Sequence, residues 1–445
     1  MSRNVFQHLK NTLKEGTMSI PKIFVAESAY KKSLSLLNQD KDDDSLEGKE
    51  YAIKARVAKK GTAKNDEFKL TLAALTSAGT LSLSGGKGQD ELSFSSKSPM
   101  AVTLGKKSQI KSLSVTQDGT LQKVKNASFA GFEQYEFGGS GKVTLSAEAE
   151  RTIATGTLLE VDTGSGSDKV TFGAVSIKGG TGTGSVTGLE IDTGSGKDRI
   201  TIGDVAIANN GYVAIDAGKG ADTITLGKVA APRGIVLLEG DTGKDVYNLK
   251  AGSTAKILIE EEGKGADTVN MAGASKSRFE TAAKAGKNLS FALKTAKDDG
   301  KTEYCLTVRG VAKAKNEGAG GSFSIIAKNF QGDKLNILTA KNKLIASISL
   351  ADVAANVKAD GKFHKLTLAK EGTAHKVAAS SAGSVTKNAF KTVGIGWSAQ
   401  PASAVYGDGA EAAAFSKYLS AAAPVQPAEQ AAGAKALQNA VLAQA

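Results

Sequence analysis

Between Leu158 and Met271 apolar and polar residues alternate in short runs, and the runs come in pairs around a glycine-rich turn. Leu159 and Val161, Leu189 and Ile191, and Val213 and Ile215 precede a turn. Val170 and Phe172, Ile200 and Ile202, Ile224 and Leu226, Tyr247 and Leu249, and Val269 and Met271 follow one. Period-two alternation on both sides of a turn predicts strand, turn, strand. Five copies of one phrase carry the pattern, each turn ending in an aspartate: Asp168, Asp198, Asp222, Asp245 and Asp267. Successive aspartates are 30, 24, 23 and 22 residues apart. At that period each phrase makes one coil of a stack, and coils bury their apolar positions only against neighbours. An isolated relative of the phrase, with Gly86, Gly88 and Asp90, lies at Leu81 to Phe94. FGGSGKVTLS (137–146) reads as a copy that has lost its aspartate.

Outside the block the pattern weakens. YAIKARV, FKLTLAAL, TLSLSGG, LSFSS, AVTLG and IKSLSV read as strands between Tyr51 and Val115. After Met271, Arg278 to Lys297 is rich in Ala and Lys and predicts a helix. Strands resume with EYCLTVRG, SFSIIAKNF, KLNILTA, LIASISL and KLTLAK. Short helices are predicted at Asn4 to Leu13, at Ile23 to Leu37, and in the Ala-rich tail. There Asp408 and Glu411 form a capping pair, and Pro427 opens a last helix. The expected fold is all-β: a repeat-built parallel β-roll or β-helix-like solenoid with β-rich flanks and short terminal helices. The expected organisation is a helical and linker region (1–50), a β-rich domain (51–150), the repeat block (151–273), a second β-rich domain (274–400) and a helical tail (401–445).

Composition narrows the chemistry. Aromatics are 5% and glycines number 51 in 445 residues, which suits stacked strands with small-residue turns rather than a large enzyme core. The net charge is +12, yet Arg151 to Gly273 holds 12 Lys and Arg against 16 Asp and Glu. Basic flanks around an acidic block suit contact with a polyanion: nucleic acid, anionic polysaccharide or a lipid headgroup surface. One cysteine, Cys305, excludes an internal disulfide. The N-terminal segment has no continuous apolar run of a secretory signal. No stretch is apolar enough for a transmembrane helix.

Catalytic signals are weak, and the expectation is a protein that is not an enzyme. His8, His364 and His375 are scattered and fit no metalloprotease motif, and no G-x-S-x-G elbow occurs. GSGK at 139–142 lacks the Ser or Thr and the upstream glycine of a phosphate loop. DKDDD at 40–44 lacks the spacing of an EF-hand. A glycan-cleaving acid pair has no aromatic platform beyond Trp397.

The phrase G-x-G-x-D followed by alternating apolar residues resembles the RTX family, the hemolysin-type calcium-binding repeat proteins of bacteria. Gly164, Gly166 and Asp168 carry the likeness, with Gly194, Gly196 and Asp198, Gly218, Gly220 and Asp222, and Gly263, Gly265 and Asp267. Asp90 and Asp245 belong to the isolated and degenerate copies. The resemblance implies calcium-stabilised parallel β-rolls, export by type I machinery, and life at the bacterial cell surface or outside the cell. It points to a surface-layer or matrix protein that self-associates into a lattice or filament, with no nucleic-acid partner. The alternative is an adhesin that binds anionic polysaccharide.

Calcium takes six to eight oxygen ligands. The turn aspartates would supply carboxylates, and Asp162, Asp192 and Asp216, at the ends of the preceding strands, would supply a second row. Two features depart from the family. Its phrase returns every nine residues, whereas here it returns every 22 to 30. Five of the six loops also carry a lysine (Lys87, Lys197, Lys219, Lys244, Lys264), whose ammonium could neutralise the aspartates without a metal.

Overall fold

A computed structural model describes residues 47–380, apart from intervening loops of which 180–186, 278–288, 309–322 and 350–363 are the longest. The helices expected at both termini, and Gly263 and Lys264, lie outside the described residues. Within them the fold is all-β and its large sheets are mostly parallel.

In the repeat block the chain visits three sheets in rotation, and the turns between the first two add a small three-stranded sheet of Ser195–Gly196, Lys219–Gly220 and Thr242–Gly243. Leu158–Asp162 lies in a nine-stranded sheet, Lys169–Phe172 in a fourteen-stranded sheet, and Ala174–Lys178 in a four-stranded sheet. The next coil repeats the order with Gly188–Asp192, Arg199–Ile202 and Val205–Ala208. The third does so with Tyr212–Asp216, Thr223–Leu226 and Val229–Ala230. We call these the first, second and third sheets. Equivalent positions pair in register from coil to coil: Leu159 with Leu189 with Val213, and Val170 with Ile200 with Ile224. A slip of one residue would turn every apolar side chain outward, so the alternation itself fixes the register.

The alternation places the core. Leu159, Val161, Leu189, Ile191, Val213 and Ile215 face inward from the first sheet. Val170, Phe172, Ile200, Ile202, Ile224 and Leu226 meet them from the second, and Val175, Ile177, Val205, Ile207 and Val229 from the third. All are buried, each worth about 1.5–3 kcal/mol of transfer free energy. The two large sheets cross the expected boundary at 150 without a break. Gln134–Glu136 pairs with Leu158–Asp162, and Val143–Ala147 pairs with Lys169–Phe172.

Two expectations fail locally. The run FKLTLAAL is a strand only as far as Leu70; Leu72–Thr76 is a short helix. The Thr71 side chain accepts a hydrogen bond from the Ala74 N–H and starts that helix. The helix expected across Arg278 to Lys297 contains the strand Leu289–Thr295 instead, which pairs antiparallel with Thr302–Val308. No helix among the described residues is long and apolar enough to cross a membrane.

Candidate functional site

The turn aspartates stand one above another where the chain passes from the first sheet to the second. Each is buried: Asp168, Asp198, Asp222, Asp245 and Asp267 are all at most 5% exposed. Each Oδ1 accepts the backbone N–H of the equivalent residue one coil earlier. The donor and acceptor pairs are Val143 to Asp168 (2.7 Å), Asp168 to Asp198 (2.6 Å), Asp198 to Asp222 (2.6 Å), Asp222 to Asp245 (2.7 Å) and Asp245 to Asp267 (2.8 Å). The aspartate carbonyls accept in turn from the following strand, as Asp168 does from Arg199 at 2.9 Å. Side chain and main chain thus join the same two coils.

The ladder extends beyond the residues the motif marks. The N–H of Asp267 donates to Asp333 Oδ1 at 3.1 Å, so Asp333 is its last rung, 66 residues further along the chain. Asp333 precedes Lys334–Thr339, which pairs parallel with Thr268–Ala274. Its only sequence signal is an aspartate followed by alternating apolar residues in DKLNI, with no Gly-x-Gly before it. Val143 occupies the aspartate position of the 137–146 copy, and its N–H still serves Asp168.

Asp90 belongs to a separate ladder. Its phrase runs from the second sheet (Leu81–Ser84) to the first (Glu91–Phe94), the reverse of the other five. There Lys49 N–H donates to Asp66, Asp66 N–H to Asp90 at 2.8 Å, and Asp90 N–H to Glu133 at 3.2 Å. Asp66 went unmarked for the same reason as Asp333: DEFKL has the alternation without the glycines.

The glycines do two different jobs. Gly164, Gly194 and Gly218 adopt φ near +72 to +74°, a left-handed conformation open to glycine at little cost. Their N–H groups donate to Oδ1 of Asp162, Asp192 and Asp216 at 2.8–2.9 Å. The second-row aspartates therefore close the turns. Gly194 and Gly218 also stack closely, since a Cβ there would fall 1.9 and 1.7 Å from a glycine carbonyl oxygen of the preceding coil, while the tightest stacking is at Gly196, Gly220 and Gly243. A Cβ on any of these three would fall 1.4–1.5 Å from the glycine carbonyl oxygen of the coil below. Gly166 and Gly265 hold the same place in their coils.

Burial raises the ladder carboxyls. Asp198, Asp245 and Asp333 are pushed up to about 7 and Asp222 to about 6, with the backbone hydrogen bonds pulling the other way. Asp90 rises to about 7 and Asp168 and Asp267 rise less, again through loss of water. Asp162 and Asp192 reach about 7 through burial and then through the neighbouring carboxylate one coil on. Oδ2 of Asp90, Asp168, Asp198, Asp222 and Asp245 is buried without a hydrogen-bond partner.

The lysines do not neutralise these groups by contact. Lys87, Lys197, Lys219 and Lys244 are exposed. Among the described residues, ion pairs form only between Lys69 and Glu50 or Glu67. The ladder oxygens already have hydrogen-bond partners on one side. Oδ1 is committed to an N–H, and the loop carbonyls of Gly139, Gly164 and Gly194 accept N–H groups of Ser165, Ser195 and Lys219. Among the described residues no three His, Cys, Asp or Glu side chains converge as a metal-binding group.

Comparison with family models, with curated proteins and with solved structures finds no match to this chain.

Proposed function

We propose that the three sheets wind into a parallel β-solenoid and that the protein is structural: an exported surface-layer or matrix component rather than an enzyme. The aspartate ladder carries this reading. Six consecutive side-chain-to-backbone hydrogen bonds, from Val143 to Asp333, fasten coil to coil along one corner. Such a ladder serves stiffness along the stack, and its unpartnered Oδ2 atoms are shut off from solvent. The likeness of the phrase to RTX repeats supports the extracellular setting, and the self-association expected of such proteins fits a rigid repeating body. In this reading the Gly-x-Gly-x-Asp turn works through hydrogen bonds and needs no metal to fold.

Calcium remains the second reading, at the outer row. Asp162, Asp192 and Asp216 pair in register in adjacent strands about 4.8 Å apart, and a cation beside them would relieve their repulsion. Scattering and electron microscopy of the purified chain test the structural reading: elongated particles that join into sheets or fibres are expected, and a compact, permanently monomeric particle contradicts it.

A further inference from the structure

The sequence makes the repeat block acidic, but among the described residues folding reverses its outward charge. Of its sixteen acids eight are buried: Asp162, Asp168, Glu190, Asp198, Asp222, Glu239, Asp245 and Asp267. Of its twelve bases, Arg151 alone is among the described buried residues. At the corner between the first and second sheets the fully exposed charges are cationic, with Asp192, Asp216 and Asp241 half-buried beside them.

The cations there form a line. Lys142, Lys197 and Lys244 each precede a ladder position, Lys169 and Arg199 each follow one, and Lys219 sits between two stacked glycines. All six are exposed, and none forms an ion pair among the described residues. Lys169 pairs in register with Arg199, and Lys219 with Ser195 and Thr242, so they belong to consecutive coils. Each of the coils numbered by Lys142, Lys169, Lys197, Lys219 and Lys244 thus offers at least one positive charge per strand spacing of about 4.8 Å. Lys334, also exposed, continues the line beside Asp333. Exposed hydroxyls stand between the charges: Ser165, Ser167, Ser195 and Thr242.

We propose that this ridge is a binding surface for a linear anionic polysaccharide. A row of single charges interleaved with hydroxyls matches a chain that alternates acidic groups and sugar hydroxyls. A nucleic acid fits less well, because the six cations are separated by no aromatic side chain on which bases could stack and no helix is presented to a groove. The site differs from the basic flanks that sequence alone indicates, and it holds whether or not copies associate.

The test uses the full chain on immobilised heparin, a sulfated linear polysaccharide. Neutralising the six ridge residues to Gln is compared with neutralising six exposed lysines elsewhere: Lys54, Lys60, Lys123, Lys125, Lys178 and Lys343. Both variants lose the same net charge. The ridge variant is expected to bind about tenfold more weakly or worse, with a flatter salt dependence, while the control stays near native. Should the sextuple variant lose its β-sheet dichroism, the Lys197→Gln and Arg199→Gln pair takes its place, with a weaker but selective loss expected. Equal losses in ridge and control variants, or no retention of the native chain at low salt, overturn the proposal. Tighter binding to oligodeoxythymidylate than to heparin at equal salt overturns the choice of ligand.

Discussion

The backbone N–H of Asp198 points at Oδ1 of Asp222, 2.6 Å away and 24 residues along the chain. The bond lies in a site from which water is excluded: both residues are at most 3% exposed. One carboxylate oxygen therefore satisfies a buried donor that would otherwise have no partner. Asp222→Ala strands that donor and is expected to cost about 1–3 kcal/mol. Asp222→Asn keeps the acceptor and removes a charge that burial disfavours, so above neutral pH it should remain closer to native than the alanine variant. Thermal unfolding of the two ranks them, and an Asn variant as damaged as the Ala variant would show that charge, not the hydrogen bond, matters.

The raised carboxyls fix the sign of the pH dependence. Asp198, Asp222, Asp245 and Asp333 have folded values of about 6 to 7 against an ordinary 3.8. Between those limits the folded chain holds protons that the unfolded chain has released. Stability from these groups is therefore greatest at low pH and falls as pH rises from about 4 through about 7. Denaturant titrations at about pH 5 and about pH 8 should find the chain more stable at the lower value. The opposite order would show that the ladder is ionised at little cost.

Stacking at the second glycine predicts a sharp contrast. In Gly220→Ala the new Cβ meets the Gly196 carbonyl at 1.5 Å, and the neighbouring atom is backbone that cannot swing aside. Only parting of the two coils relieves that overlap, so the loss is expected to exceed the roughly 3 kcal/mol at the top of the ordinary overpacking range. Gly119→Ala, in the Asp118–Gly119 turn with φ +74° and open space around it, bears only backbone strain of about 1–2 kcal/mol. Comparable melting shifts in the two variants would contradict the close coil contact.

Val143 offers the converse test. It fills an aspartate position, but the N–H that an aspartate there would receive belongs to Met100, which already donates to the Lys142 carbonyl at 2.9 Å. Val143→Asp therefore buries a carboxylate without a donor and should destabilise by about 1–3 kcal/mol or more. A stabilised variant would mean that the ladder can be lengthened by sequence alone.

The parts of this fold that were legible rest on period and repetition. Leu159 and Val161 or Ile200 and Ile202 announce their strands, because alternate residues of a strand must face opposite ways. What depends on neighbours was hidden. Nothing in LSLSGGKGQDELSF says that it crosses from the second sheet to the first, since that is decided by which strands lie beside it. Asp66 and Asp333 lack the glycines that mark their partners, yet their coils place them in ladders. LAAL alternates poorly and is captured by the Thr71 cap. The aspartates themselves were visible, but the same spacing suits a metal ligand or a hydrogen-bonding rung. The inter-coil N–H to Oδ1 contact comes into view only once the coils are stacked. The outward charge was likewise hidden in the composition, because among the described residues burial removes acids and spares lysines.

The most direct measurement is thermal unfolding by far-ultraviolet circular dichroism of the purified full chain, first chelated and then titrated with calcium. A ladder made of hydrogen bonds predicts full β-sheet signal in chelator and a melting temperature that calcium leaves essentially unchanged. An unfolded chelated chain that gains sheet structure and melting temperature as calcium is added would contradict the account and make the aspartate turns metal sites.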